Sequence, residues 1–337
     1  MGLHIGDIVP RHEIQLSALK GKVLAVDAFN VIFQFLSSIR QPDGTPLMDS
    51  QGRVTSHLSG LFNRNAALLK EGIRLIYVFD GEYHPLKSKT HALRQAVKDK
   101  AREAHAAAVA DEDFIEAGKY ARQLSTVNEG MLDECKQLLT SMGIAVYQAA
   151  GEGEMQCAEL VKRGDAWAVA SQDYDALAVG GKRLIQNLTL AKTRKTASGV
   201  IYIAPEVIDY VQTLQSLELD SDQLICVAIL VGTDFNPGGV KGIGPKKALS
   251  LVREKKFPVA IFQELQEQGK LDFDWSEIFH IFKQPTVSKE PVVWPKYDRK
   301  KVMQLLVEEH EFGKERVEKQ LDALEAVARE QKQKTLF

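Results

Sequence analysis

Cysteine is scarce in this chain: three thiols in 337 residues, Cys135, Cys157 and Cys226, far apart and without a CxxC pair. That spacing argues against a disulfide framework or a zinc site and fits a reducing compartment. No HExxH, GxSxG or phosphate-binding P-loop occurs, which removes the commonest metalloprotease, serine-hydrolase and nucleotide-binding signatures. No apolar run is long enough to cross a bilayer, and the first residues do not read as a signal peptide. The expectation is a soluble intracellular protein. Neither sign of charge dominates: 43 Lys and Arg against 45 Asp and Glu leave a formal net charge of −2. A global basic excess is therefore missing, although an acidic site and basic patches cancel in such a sum. At 45% hydrophobic and 26% charged residues, the composition is globular, with enough chain for one large core or two modest ones.

What is present is carboxylate, and it is patterned. Between Ala149 and Leu177 stand two acid pairs, Glu152/Glu154 and Asp173/Asp175, each with one residue between its members. The first follows the apolar run Ile144 to Tyr147, and the second follows Ala166 to Ala170. Between them Cys157, Ala158 and Val161 fall at helical spacing, which predicts strand, helix, strand. A right-handed crossover makes such strands parallel and brings their carboxyl ends to one edge of the sheet. Two further strands of buried type close the same way, Lys22 to Asp27 (KVLAVD) and Leu75 to Asp80 (LIYVFD). Either aspartate alone could be a helix N-cap, and GEGE and QDYD have the composition of solvated turns. Four strand or crossover ends that all close on acids are harder to assign to caps. Carboxylates gathered in this way repel unless a cation neutralises them, and hard divalent ions prefer oxygen ligands.

After Asp80 the character changes. From His84 to Asn128 the chain is polar and alanine-rich, with Lys87, Lys89, Arg94, Lys98, Lys100 and Arg102 near its start. This predicts surface helices that order partly on binding. Lys87 and Arg94 are two helical turns apart, so they share a face and together could hold one phosphate; a solvated charged face is the plainer alternative. Earlier, a helix with Phe33 and Phe35 runs into a Pro/Gly loop at Pro42 to Pro46, and a second helix follows near Val54. Both phenylalanines read first as core, and base stacking ranks second.

From Asp222 to Arg253 an apolar helix face (Leu224, Ala228, Val231) leads to Asp234 and then to a glycine-rich turn containing Gly242 and Gly244. A second helix is opened by Pro245, with Lys246 and Lys247 in its first turn, where the helix dipole disfavours cations. Free N–H groups, small glycines and two lysines there predict docking of a phosphate backbone, read by shape and not by base sequence. Pro285 to Pro295 reads as a proline-containing linker, Val302 to Val327 as a charged helical pair, and Gln331 to Phe337 as a disordered end.

These stretches resemble the archaeal-type flap endonucleases of the structure-specific 5′ nuclease superfamily. VDAFNVIFQFLSSIRQPDGTPLMDSQGRVTSHLSGLF, VFDGE, GEGE, SQDYDAL, LVGTDFN and KGIGPKKAL stand in family order and spacing, from Gly2 to about Leu324. The resemblance implies an α/β, PIN-like fold: a twisted, mainly parallel sheet flanked by helices, with a helical arch and a helix–turn–helix DNA-binding element. It implies a single nuclease domain over 1–324, with an N-terminal region at 1–98, the arch at 84–128, an internal region at 129–253 that ends in the helix–turn–helix at 222–253, and a helical part at 254–324. A flexible tail would occupy 325–337.

The metal-site acids implied are Asp27, Asp80, Glu152, Glu154, Asp173, Asp175 and Asp234, for two Mg²⁺ ions with Mn²⁺ as a substitute. Asp80, Glu154 (or Glu152), Asp173 and Asp175 would stand closest, with Asp27 and Asp234 supporting. Lys87 and Arg94 match cations that contact the scissile phosphate, so the residues acting in catalysis would be Lys87, Arg94, Asp80, Glu154 and Asp173. Phe33 falls where the family commonly has a stacking tyrosine. The loop with Pro42 and Leu47 resembles a wedge that opens the junction. Gly242, Gly244, Lys246 and Lys247 would grip duplex backbone, with a potassium ion on the loop carbonyls.

Gln333, Thr335, Leu336 and Phe337 match only the front of a sliding-clamp box, because the usual aromatic pair is missing. The resemblance implies a monomer that hydrolyses phosphodiesters at the base of 5′ DNA flaps, also acts as a 5′–3′ exonuclease, and works in the cytoplasm or nucleoid of a prokaryote of archaeal type. A superfamily 5′ exonuclease, a junction nuclease and a catalytically silent branched-DNA scaffold are the alternatives.

Overall fold

The structure, a computed structural model, describes residues 3–41, 44–111, 113–188, 193–196 and 199–334. Its centre is a seven-stranded sheet of order β1-β9-β6-β5-β2-β3-β4. The five strands β2 (Val23–Asp27), β3 (Arg74–Phe79), β4 (Ala145–Gln148), β5 (Ala168–Ala170) and β6 (Arg183–Gln186) are mutually parallel. Two short strands, β1 (His12–Glu13) and β9 (Glu206–Asp209), extend the β6 side antiparallel. A separate hairpin pairs β7 (Thr193–Thr196) with β8 (Gly199–Tyr202). The sheet is thus mixed at one margin and parallel elsewhere.

Period-two alternation along the central strands sends alternate side chains to two cores. Ala25, Ile76, Val78, Tyr147 and Val169 enter one, and Leu24, Val26, Leu75, Tyr77, Phe79 and Ala170 the other. Both faces are covered, which is why these strands read as continuous apolar runs. The second core is closed by α1 (Ala28–Ser38), α2 (Ser56–Lys70), α5 (Glu129–Ser141), α13 (Arg299–Met303) and the first half of α14 (Lys314–Lys334). The first is closed by α6 (Gly153–Arg163), α7 (Asp175–Ala178), the end of α8 (Tyr210–Leu217), α9 (Ser221–Val231), α10 (Pro245–Lys255), α11 (Pro258–Glu267) and α12 (Trp275–Lys283). Two helices, α3 (Ser88–Ala110) and α4 (Phe114–Gln123), pack mainly on each other as the arch. Leu93, Val97 and Val109 of α3 remain exposed, consistent with a segment that has few core contacts.

Strand, helix, strand holds for β4, α6 and β5, but β4 and β5 are not neighbours: β2 and β3 lie between them. The proline segment is not a free linker. Ser288 exchanges hydrogen bonds with the buried Gln156 amide at 2.6 and 3.0 Å, Tyr147 Oη donates to the Glu290 carbonyl at 2.8 Å, and Arg74 lies 3.8 Å over the Trp294 ring. A fully buried glutamine needs both ends of its amide satisfied, and this segment supplies them. At the chain end, α14 continues to Lys334 through the first part of the stretch read as a tail. Among the described residues no helix is long and apolar enough to cross a membrane.

Candidate active site

The carboxyl ends of β5, β2, β3 and β4, four strands adjacent in the sheet, carry or lead into six of the acids. Asp27 is the last residue of β2 and also the N-cap of α1, accepting from the Asn30 N–H at 3.1 Å. The cap and the site are therefore the same residue. Asp80 follows β3 directly, and its Oδ1 accepts from the Gly153 N–H at 2.7 Å. Two glycines make close approaches here. A Cβ on Gly153 would stand 2.6 Å from Asp80 Oδ1, and one on Gly81 would stand 2.2 Å from the Ala149 carbonyl oxygen. The ends of β3 and β4 close on each other through these two residues, with Gly81 N–H donating to the Gly151 carbonyl at 2.7 Å. Glu152 is the N-cap residue of α6 and Glu154 lies in its first turn; Asp173 precedes α7 and Asp175 opens it. The seventh acid, Asp234, comes from the turn after α9.

Above the acids stands the base of the arch. Lys87 ends a short 3-10 turn, Pro85–Lys87, that leads into α3, and its Nζ donates to Glu152 Oε2 and lies 3.8 Å from Asp234 Oδ2. Arg94 reaches the same Asp234 oxygen at 2.7 Å. Lys87 is buried and Arg94 about half exposed, so the shared face expected from their spacing is turned onto the acids. A cleft of about 810 Å³ opens between arch and sheet, lined by Asp27, Asp80, Glu152, Glu154, Asp173 and Asp234 with Lys87 and Arg94. Phe33, 39% exposed, forms part of its wall, with Lys98 Nζ 5.9 Å from its ring centroid. Phe35 is core.

The electrostatics follow from burial and like charge. Burial, then the neighbouring Asp80, pushes the Asp27 carboxyl up to about 7; burial, then Asp173, does the same to Asp175. Burial and the nearby Asp175 and Asp173 raise Glu154 well above the carboxylate range, and burial is the main cause of the upward shift at Asp80. Burial alone would lower the Lys87 ammonium, but Glu154 and Glu152 together outweigh it and move the group upward.

The donor set is oxygen only, as hard divalent cations require. Asp175 Oδ1 and Asp234 Oδ1 are buried with no hydrogen-bond partner, an arrangement that a cation or its bound water would satisfy. Among the described residues no three of these groups close up into a complete cage. Mg²⁺ does not need one, because it keeps several waters and binds through one or two carboxylates plus substrate phosphate. The residues present fit such an ion.

The neutral groups between the acids lie outside what the sequence pattern predicts. Asn30 Nδ2 donates to Asp173 Oδ2 at 3.3 Å, and Ser171 Oγ donates to Asp27 Oδ2 at 3.4 Å while accepting from the Asp173 N–H at 3.2 Å. Only the three-residue step from Asp27 to Asn30, a capping spacing, hinted at either.

Other candidates lie away from the cluster. Leu47 sits in the loop between α1 and α2, its N–H donating to Ser56 Oγ at 2.9 Å. Gly242 precedes α10, Gly244 is its N-cap, and Lys246 and Lys247 are exposed in its first turn, with Lys247 Nζ 3.2 Å from the Gly242 carbonyl. Pro42, Thr335, Leu336 and Phe337 lie outside the described residues, and Gln333 is described only as backbone at the end of α14.

The XPG N-terminal domain model matches residues 5–101 and the XPG I-region model residues 143–234, so all seven acids fall within matched segments. Flap endonuclease 1 of Pyrococcus furiosus is 46% identical over 339 residues, covering 100% of this chain and 98% of its own. The chain belongs to the flap endonuclease family. A second family member, flap endonuclease 1 of Aeropyrum pernix, is 43% identical over 98% of this chain and 96% of its own. The solved flap endonuclease-1 from Methanococcus jannaschii superposes with a TM-score of 0.77 at 40% identity, covering 98% of this chain and 100% of its own. The catalytic core of Rad2, solved in complex with DNA substrate, shares the fold at TM-score 0.72 and 24% identity, over 96% of this chain and 100% of its own. Family membership makes the chain a nuclease that depends on divalent metal ions, in keeping with the oxygen-only cluster.

Proposed function

We propose that this flap endonuclease family member hydrolyses phosphodiesters at the base of 5′ single-stranded flaps on branched DNA, with 5′–3′ exonuclease activity as a second mode, in replication and repair. One observation carries the reading: an acid cluster built from four adjacent strand ends lies under an arch whose base delivers two cations onto it. Asp80, Glu154, Asp173 and Asp175 would hold divalent metal most directly, with Glu152, Asp27 and Asp234 supporting. Two Mg²⁺ ions, or Mn²⁺ in their place, would supply an activated hydroxide and neutralise charge on the scissile phosphate.

The protein's own groups do the rest. Lys87 and Arg94 exchange their carboxylate partners for the oxygens of the scissile phosphate and stabilise the charge that develops there. Asn30 and Ser171 hold Asp27 and Asp173 at fixed orientation. Phe33 offers a face on which a base beside the cut can stack. A 5′ strand passes beneath α3, while α10 meets the duplex backbone through its free N–H groups and Lys246 and Lys247. Gly242, whose carbonyl already accepts from a lysine ammonium, would share a potassium ion with neighbouring carbonyls. The loop carrying Leu47 would wedge the junction. Residues 1–324 would act as one nuclease unit and a monomer, working at the nucleoid, and Gln333, Leu336 and Phe337 would give the tail a contact with a sliding clamp.

The test is cleavage of a labelled 5′-flap DNA with Mg²⁺ and with EDTA, beside plain duplex and a flap whose 5′ end is blocked. A metal-dependent cut near the junction, slowed by the block and lost in Asp173→Ala with flap binding kept within a few-fold, is expected. Cutting of plain duplex alone would move the assignment to an exonuclease. Binding without any cut would leave a scaffold.

A further inference from the structure

We propose that Thr90 is a positioning residue for cleavage: its hydroxyl pins the base of the arch to the main chain of Asp234 and so fixes where Lys87 and Arg94 stand over the acids. The inference rests on the flap-cleavage reading above. Thr90 is fully buried, and its Oγ1 donates to the Asp234 carbonyl oxygen at 2.6 Å. A threonine inside a helix ordinarily returns its hydroxyl to a carbonyl one turn back in the same helix. Here the bond leaves α3 for a residue 144 positions away. Threonine is also a mediocre helix former, so helix propensity does not account for its presence here.

Its position gives the bond its use. Thr90 lies three residues after Lys87 and four before Arg94, on the face they share. Six residues before Thr90, the His84 ring packs T-shaped on Phe235, with centroids 5.6 Å apart, and Lys87 Nζ lies 5.2 Å from the Phe235 centroid. The base of the arch therefore rests on two consecutive residues, Asp234 and Phe235. That support is rigid. Asn236 Oδ1 accepts from the Thr233 N–H at 3.1 Å and from its hydroxyl at 2.8 Å, and Asn236 Nδ2 donates to the Ile229 carbonyl of α9 at 2.7 Å, all buried.

The contacts of Lys87 and Arg94 with carboxylates are the ones a phosphate would draw away. The Thr90 bond is neutral, dry and directed at a main-chain oxygen, so it stays in place while the two cations change partners. Without it the first turns of α3 would lose their fixed height above the cluster, and catalytic geometry is sensitive to shifts of this size.

Thr90→Val keeps the side-chain shape and removes the donor, and Thr90→Ser keeps the donor. Thermal melting would establish that both variants are folded. Single-turnover cleavage of the 5′-flap DNA should then fall roughly tenfold in Thr90→Val, with flap affinity measured in EDTA unchanged within about twofold, and Thr90→Ser should recover to within about twofold of the parent rate. A Thr90→Val rate equal to the parent's, an equally slow Thr90→Ser, or a loss of affinity that matches the loss of rate would each overturn the proposal. A parent protein that does not cut flaps would instead overturn the functional reading, and this inference with it.

Discussion

Without metal, the acid cluster should make this protein less stable at alkaline pH than at mildly acidic pH, and one side chain isolates the effect. Asp27 and Asp175 have ordinary values of 3.8 and are pushed up to about 7 in the fold. A carboxyl whose folded pKa is raised binds more protons folded than unfolded between those two values. Stability therefore falls as pH rises through that window, and the full penalty is present above about pH 7. Between about pH 5.5 and about pH 8 one such group costs about 2 kcal/mol. At roughly 0.7 kcal/mol per kelvin of unfolding entropy for a chain of this length, that corresponds to about 3 °C in Tm. Other groups titrate in the same range, so the informative quantity is a difference. Asp27→Asn removes the ionisation and retains the cap, since asparagine also accepts from the Asn30 N–H. Thermal melts in EDTA should show the variant gaining about 3 °C on its parent between the lower and the higher pH. Mg²⁺ at the higher pH should raise the parent more than the variant. A parent–variant difference that is constant with pH, or that grows in the opposite direction, would rule out a raised Asp27 pKa in the fold.

Three further outcomes follow from particular contacts. Gly153→Ala places a better helix former in the first turn of α6 but sets a methyl 2.6 Å from Asp80 Oδ1; flap cleavage should fall by roughly tenfold or more while Tm stays within a few degrees, and a parallel loss of both would point to general misfolding. Replacing Lys246 and Lys247 together by Ala should weaken DNA binding equally across sequences and reduce the slope of log K against log salt by roughly two, read by fluorescence anisotropy; an unchanged slope would remove these lysines from the backbone contact. Lys87→Met should lower cleavage by roughly a hundredfold or more with flap affinity kept within a few-fold, and a full loss of binding would make Lys87 a structural residue.

Much of the site was legible because it is written in local pattern. An apolar run long enough to be buried on both faces, closed by an acid, marks the carboxyl end of a strand wherever the strand lies in the sheet. Asp27 and Asp80 follow from that alone, and the seven-residue step from Lys87 to Arg94 puts them on one face without any tertiary contact. Pro245 after a glycine-rich turn fixed the start of α10 for the same local reason. The apolar periodicity of α9 likewise placed Asp234 at a helix end.

Tertiary structure decided what local pattern does not encode. The order β5-β2-β3-β4, which makes four acid-bearing ends neighbours, depends on pairing between strands far apart in the chain, Val23 with Arg74, Ile76 with Ala145 and Leu24 with Ala168, and nothing in the run of β4 or β5 says that two other strands lie between them. The strands β1 (His12–Glu13) and β9 (Glu206–Asp209) contain no apolar run of the kind that marks β2 to β5. The bonds of Asn30, Ser171 and Thr90 join groups distant in sequence, and an isolated amide or hydroxyl gives no sign of its partner. The docking of Ser288 and Glu290 onto Gln156 and Tyr147 is of the same kind. Sequence by itself determined which residues end strands, cap helices and carry charge, because those follow from burial and hydrogen bonding within a few residues; the fold alone decided which of them meet, because that is set by packing summed over the whole chain.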